Sequence, residues 1–332
     1  MSSSPTDPNA PKKTGRRPGK SRAEIEAEQA ADAAQIAKTL ENLMATFELD
    51  DFGDEDFSED DFSEEEEEIK ASKLPTPLHH AQLIAIIAWR ELKPKLRAEL
   101  AKDALAVSAD CADAYVLLSL NANEPSRKRK LLEQALAAGE RAIGAERFEK
   151  LRGKFWRILD TRPYMRALDE LATVCASSGD LPGAIDCWTR MTTLDVSDAL
   201  EARHLLATHL LIKGGAASHA ALRRLFGRFP DDASAAFTYS RALLLFVERR
   251  GPSEPANRAL MDAFTSNGYV ADLMFESERM PEDLRDDGDP GGIDEADEYL
   301  QYARDLWDRT NGALEWMESL WLTFKPNVRK RR

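Results

Sequence analysis

The chain is short of most things that would mark a membrane, secreted or metal-dependent protein. Its most apolar stretches, Ala81–Trp89 and Ala242–Val247, fall well below the roughly 18–20 residues needed to cross a bilayer as a helix. Only three cysteines occur, Cys111, Cys175 and Cys187. An odd, widely spaced set argues against a disulfide framework and for buried thiols in a reducing compartment. The start, Met-Ser-Ser-Ser-Pro, turns basic without an apolar stretch, so no secretory signal is expected. These features predict a cytoplasmic protein with no membrane association. With 17 glycines and 16 prolines in 332 residues, the chain is poor in the turn formers an all-β sandwich needs. No run alternates with a period of two, so no strands are predicted.

The sequence has few candidates for chemistry. Gly15-Arg16-Arg17-Pro18-Gly19-Lys20-Ser21 is one residue short of a phosphate-binding loop, and no strand precedes it. His79 and His80 are adjacent, so they point to different faces of a helix. His204 and His209 are five apart rather than four, and no cysteine has a CxxC partner. No catalytic residue, cofactor or metal is expected, and the protein is read as a non-enzyme.

Charge is plentiful but unevenly placed. The net charge is −14, and Glu48–Glu68 holds 14 acidic residues with no lysine or arginine. Removing those 14 from the 59 acidic residues leaves 45, which matches the 45 lysines and arginines. The imbalance therefore sits in one segment, which repels itself and is expected to stay extended. Within it a five-residue repeat places Phe52, Phe57 and Phe62 each after an aspartate. Acid interleaved with spaced aromatics points to a short docking motif.

The expected organisation is a disordered basic arm (1–22), a helix (23–49), a disordered acidic segment (50–77), a helical repeat domain (78–277), a loop (278–293), C-terminal capping helices (294–321) and a basic tail (322–332). Breaks inside the helical domain are predicted at Pro94, Asn123–Pro125, Gly139–Gly144, Thr161–Pro163, Ser178–Asp180, Gly214-Gly215, Pro230–Asp232 and Gly251-Pro252.

A period of about 34 residues is best seen in Met165–Asp198. Leu168 and Leu171 are large, Ala172 and Ala184 small, Gly179 lies in the turn, and Trp188 follows Ala184 by four. Small residues let antiparallel helices approach, and glycine permits the turn. This unit resembles the tetratricopeptide (TPR) repeat. Phe155–Ala167, Asp110–Tyr115 and Gly312–Trp316 also look like segments of a bacterial TPR family of unknown function. The resemblance implies an all-α, right-handed α-solenoid and an interaction role. In that register Arg166, Arg203 and Arg241 climb the groove, one per hairpin, and arginine suits bidentate capture of carboxylates. The expected function is a protein–protein scaffold that binds a partner peptide or acidic segment. The alternative is an accessory protein in a nucleic-acid transaction, with the acidic segment as phosphate mimic. Direct nucleic-acid binding is disfavoured by the neutral body.

Overall fold

The computed structural model describes residues 76–275 and 290–329. The chain divides into two units at Lys73/Leu74, and every described residue belongs to the second. The predicted basic arm, the helix over 23–49, the acidic motif with Phe52, Phe57 and Phe62, and most of the loop before 290 lie outside the described residues, as do residues 330–332.

Among the described residues the fold is all-helical. Two isolated bridges joining Gly153 and Lys154 to Asp195 are the only extended pairings. The helices are α1 (Pro77–Arg90), α2 (Pro94–Val107), α3 (Ala112–Leu120), α4 (Pro125–Ile143), α5 (Ala145–Lys150), α6 (Arg162–Ser177), α7 (Leu181–Leu194), α8 (Ala202–Lys213), α9 (Gly215–Arg228), α10 (Ala235–Arg249), α11 (Glu254–Ser266), α12 (Tyr269–Phe275), α13 (Ile293–Arg309) and α14 (Ala313–Arg329). Short 3-10 turns at Phe155–Arg157 and Leu159–Thr161 link α5 to α6.

Many of the predicted breaks prove to be helix starts. Prolines occupy the first turns of α1, α2, α4, α6, α7 and α11, where the missing N–H costs nothing. Side-chain caps complete several of these ends: Thr76 for α1, Asp180 for α7, Ser234 for α10 and Ser253 for α11. The break expected over Gly139–Gly144 is shorter than the sequence implied. Helix α4 runs through Gly139 and stops at Gly144, whose φ is +78°. Gly139 serves packing instead: a Cβ there would lie 3.0 Å from the Tyr164 ring. At the C-terminal end, α14 continues past Trp321 to Arg329, so much of the expected tail is helix.

The helices pair as antiparallel hairpins α1/α2, α3/α4, α6/α7, α8/α9 and α10/α11. Ala172 and Ala184 are completely buried where α6 meets α7, and Gly179 turns between them at φ +78°. Trp188 leaves that hairpin to meet the His209 ring of α8, with 4.5 Å between centroids. First helices also touch in succession: α1 with α3, α3 with α6, and α8 with α10. One core runs from Ala112 to Trp321, and a smaller, alanine-rich one joins α1, α2 and the start of α3.

Helix α13 lies against both α8 and α10. Its stripe Ala296, Tyr299, Leu300, Ala303 and Trp307 is buried, at the i, i+3, i+4, i+7 spacing of one helix face. Glu295 fastens its N-terminus by accepting from Ala235 N at 2.9 Å, Asn267 Nδ2 at 2.8 Å and Gly291 N at 2.9 Å. Tyr239 on α10 meets the rings of Tyr299 and Trp307, and His209 on α8 meets Tyr302.

Candidate functional site

The three arginines singled out from sequence lie on α6, α8 and α10, the first helices of three hairpins. Their guanidinium groups are differently engaged. Arg166 forms a bidentate pair with Asp113 of α3, Nε to Oδ1 at 2.8 Å and Nη2 to Oδ2 at 2.5 Å. Asp113 is fully buried, and Gln82 Nε2 of α1 also donates to it. A bare carboxylate inside a helical core would be severely destabilising; these donors from two neighbouring helices make it tenable.

Arg203 sits at the start of α8. Its Nε donates to Asp232 at 2.5 Å and its Nη1 to Asp198 at 3.3 Å, and its guanidinium covers the Phe229 ring. Burial by itself would raise the Asp232 carboxyl. Hydrogen bonds from His204, Arg203 and Ser234 outweigh it and hold that group well below the usual carboxylate range. Burial pushes the Asp198 carboxyl up, against the opposing Arg203 donors. Arg241 lies over the Phe226 ring, 5.1 Å from its centroid. Arg166 and Arg203 are thus already held by carboxylates of the helical body.

The carboxylates missed from sequence are as informative. On α6, Arg162, Arg166, Asp169, Thr173 and Ser177 recur every three or four residues and, with Glu170 next to Asp169, form a half-buried to exposed stripe opposite the buried Leu168, Leu171 and Cys175. Desolvation raises the Asp169 carboxyl. It raises Glu170 as well, assisted by the Asp169 charge and opposed by Lys128. A cavity of about 160 Å³ adjoins the stripe, lined by Glu170, Thr173 and Ser177 of α6 and, from the α3–α4 side, by Leu120, Asn123 and Lys128. Nothing in the sequence separates Asp169 and Glu170 from the other acidic residues. Asp113 carried a usable signal, because it lies between Ala112 and Ala114 in a short apolar helix.

His204 and His209 have different surroundings. His204 faces Asp232, whereas His209 is packed between Trp188 and Tyr302 with Nδ1 2.8 Å from the Leu205 carbonyl. Cys111, Cys175 and Cys187 are all buried free thiols. Burial pushes Cys111 and Cys187 each up to about 12, which suppresses the thiolate a nucleophile requires. Among the described residues no group of three or more His, Cys, Asp or Glu converges as a metal site. No described helix is long and apolar enough to cross a membrane.

Comparison with known proteins points away from the family expected from sequence. A family model described as "ST7 protein" matches residues 75–154, which span α1 to α5. A Protein ST7 homolog from Caenorhabditis elegans is 27% identical over 283 residues, covering 74% of this chain and 51% of that protein. Its counterpart from Caenorhabditis briggsae is 26% identical over 287 residues with the same coverage. The homolog from Drosophila melanogaster is 26% identical over 259 residues, 70% of this chain and 47% of its own length. The chain therefore spans about half the length of the curated relatives it matches. These matches overturn the expected tie to TPR proteins and to a bacterial TPR family. Small residues at Ala172 and Ala184 with a turn glycine between them meet the needs of any closely packed antiparallel helix pair, so they do not distinguish one family from another. The chain's similarity is to ST7 proteins, and the family model's match ends before α6 and its stripe.

Proposed function

We propose that this chain is a non-catalytic protein–protein interaction scaffold of cytoplasmic setting, its hairpins stacked as a right-handed α-solenoid. The receiving surface is the stripe of α6. One observation carries the reading. Helices α8 and α10 have their faces filled by α13 through a buried aromatic stripe, whereas the stripe of α6 remains half-buried to exposed with a cavity beside it. The row of Arg166, Arg203 and Arg241 is a poor acceptor for an acidic peptide. A partner carboxylate would have to displace Asp113 from Arg166, or Asp198 and Asp232 from Arg203, and would leave those carboxylates buried and unpaired.

The test is a photo-crosslinking amino acid placed at the exposed Thr173 in the full chain, in native cells. Discrete adducts should form there and be absent when the same residue is placed at the exposed Arg224 of α9. The same adducts from both positions, or none from either, would overturn the scaffold reading.

A further inference from the structure

The tip of the first hairpin carries apolar and charged surface that the body does not use. Leu92, between α1 and α2, is 91% exposed, and Leu96, in the first turn of α2, is 40% exposed. Around them, residues 90–97 hold four cations and one acid. That acid, Glu91, is spent on the turn itself, accepting from Lys93 N at 2.7 Å. Lys93, Lys95 and Arg97 form no ion pair among the described residues, and Arg97 Nε is buried with no hydrogen-bond partner. The next acid, Glu99, lies one turn along α2 from Lys95 and is exposed without an ion pair.

These cations are placed against the interest of their own helix. A helix N-terminus carries partial positive charge, which acids relieve and cations worsen. Helices α2 and α4 both open with proline and have no acid in their first turn. Lys95 and Arg97 sit there in α2, and Arg127 and Lys128 in α4. Leu120, at the end of α3, is 37% exposed. The turn into α4 is the better compensated of the two: Lys128 shares a cavity wall with Glu170, and Arg129 pairs with Glu133 and Asp180. The tip between α1 and α2 therefore keeps the larger unanswered positive charge and the more exposed leucines.

A leucine that stands out from a turn among cations is a convex feature, whereas small ligands and peptides are held in concave ones. A nucleic acid would answer the cations with phosphate, but its bases stack on aromatic rings, and residues 90–97 contain none. A lipid surface offers both complements, headgroup charge for the lysines and an acyl boundary for the leucines. We propose that the tip of the first hairpin docks on an anionic membrane surface, with Leu92 entering the acyl boundary and Lys93 and Lys95 meeting the headgroups. That no described helix can cross a bilayer does not bear on contact from one side. This contact is independent of whatever occupies α6.

The experiment sediments the full chain with phosphatidylcholine vesicles, with and without phosphatidylserine. Binding should require phosphatidylserine and weaken as salt rises. Lys93→Glu combined with Lys95→Glu should weaken it about tenfold or more. The Tm of that variant should match or exceed the parent's, because an acid then occupies the first turn of α2. Leu92→Ser should weaken binding about threefold or more at an unchanged Tm, since the side chain packs on nothing in the body. A charge-matched pair at exposed sites elsewhere, Arg224→Glu with Arg309→Glu, should change binding by less than about twofold. Equal binding to both kinds of vesicle, or none to either, would overturn the proposal. So would an equal loss in the charge-matched pair, which would reduce the effect to net charge. Binding that survives both tip variants would belong to the basic residues 1–22 or 325–332 and would also overturn it. Leu92→Ser without effect would sink the insertion, and tighter binding of duplex DNA than of vesicles would then identify a nucleic-acid surface instead.

Discussion

Helix α6 and the pair α8 and α10 hold equivalent places in their hairpins, yet their free faces are finished in opposite ways. On α8 and α10, α13 covers the face with Tyr299, Leu300, Ala303 and Trp307, and almost every residue of α10 is buried or half-buried. On α6 the face is left polar, and its order comes from a buried charge pair reaching sideways to α3. The first region is stabilised by apolar area, which is non-directional and tolerant of slippage. The second depends on a few directed contacts, which keep a surface ordered without covering it. The difference shows two ways this fold completes the face of a first helix: a capping helix on α8 and α10, and directed polar contacts on α6.

The strongest way to break the comparison is at Trp307, which is fully buried and donates Nε1 to the Tyr299 hydroxyl at 2.9 Å. Trp307→Ala should cost about 3–5 kcal/mol, read from denaturant titration. It should also increase binding of a hydrophobic dye as α13 loosens from α8 and α10. A loss below about 1 kcal/mol would mean that α13 is dispensable packing.

The α6 side breaks at its charge pair, and asymmetrically. Asp113 has no exposed side-chain surface, whereas the Arg166 side chain is 31% exposed. Arg166→Ala strands a buried carboxylate and should cost about 3 kcal/mol or more. Asp113→Ala leaves a guanidinium that can turn to water and should cost less. Equal losses in chemical denaturation would show that Gln82 and the surrounding dipoles, rather than Arg166, carry Asp113.

A smaller effect separates the two regions by pH. Burial holds the His209 imidazole below its ordinary value of 6.5, with the Leu205 carbonyl partly opposing. The unfolded chain then binds the proton more readily than the folded one. The His209 contribution is therefore complete above about 6.5 and is lost as pH falls below it, toward the lower value of the folded state. His209→Gln should flatten the dependence of unfolding free energy on pH between about 7.5 and 5.5, the window that brackets this titration. An unchanged slope would place the acid sensitivity elsewhere.

The smallest effect has the opposite sign. Asp169 is raised by desolvation, so its ionised form is a strain on the folded state that protonation relieves. Asp169→Asn should give an equal or slightly higher Tm at neutral pH, by differential scanning calorimetry. A clear drop would reveal a partner for this carboxylate in the body.

The helical class and the hairpin breaks were legible because they depend on local chemistry: prolines that open helices, side-chain caps, and glycines at positive φ such as Gly179 and Gly144. Gly139 was misread as a break because glycine marks both helix ends and close contacts, and only the position of the Tyr164 ring distinguishes them. The family was misread for a related reason, since Ala172, Gly179 and Ala184 report helix proximity and nothing more.

By itself, then, the sequence determined the helices, their pairing into hairpins, the burial of all three cysteines and the location of the net charge. These follow from periodicity, turn chemistry and composition, which act over a few residues. Only the tertiary structure decided which charges remain available. Arg166 and Arg203 looked free on their own helices, and their partners Asp113 and Asp232 lie 53 and 29 residues away in the chain. It likewise placed α13 on α8 and α10 and left the polar stripe of α6 half-buried to exposed. Neutralisation and coverage are relations between distant segments, and no local pattern encodes them.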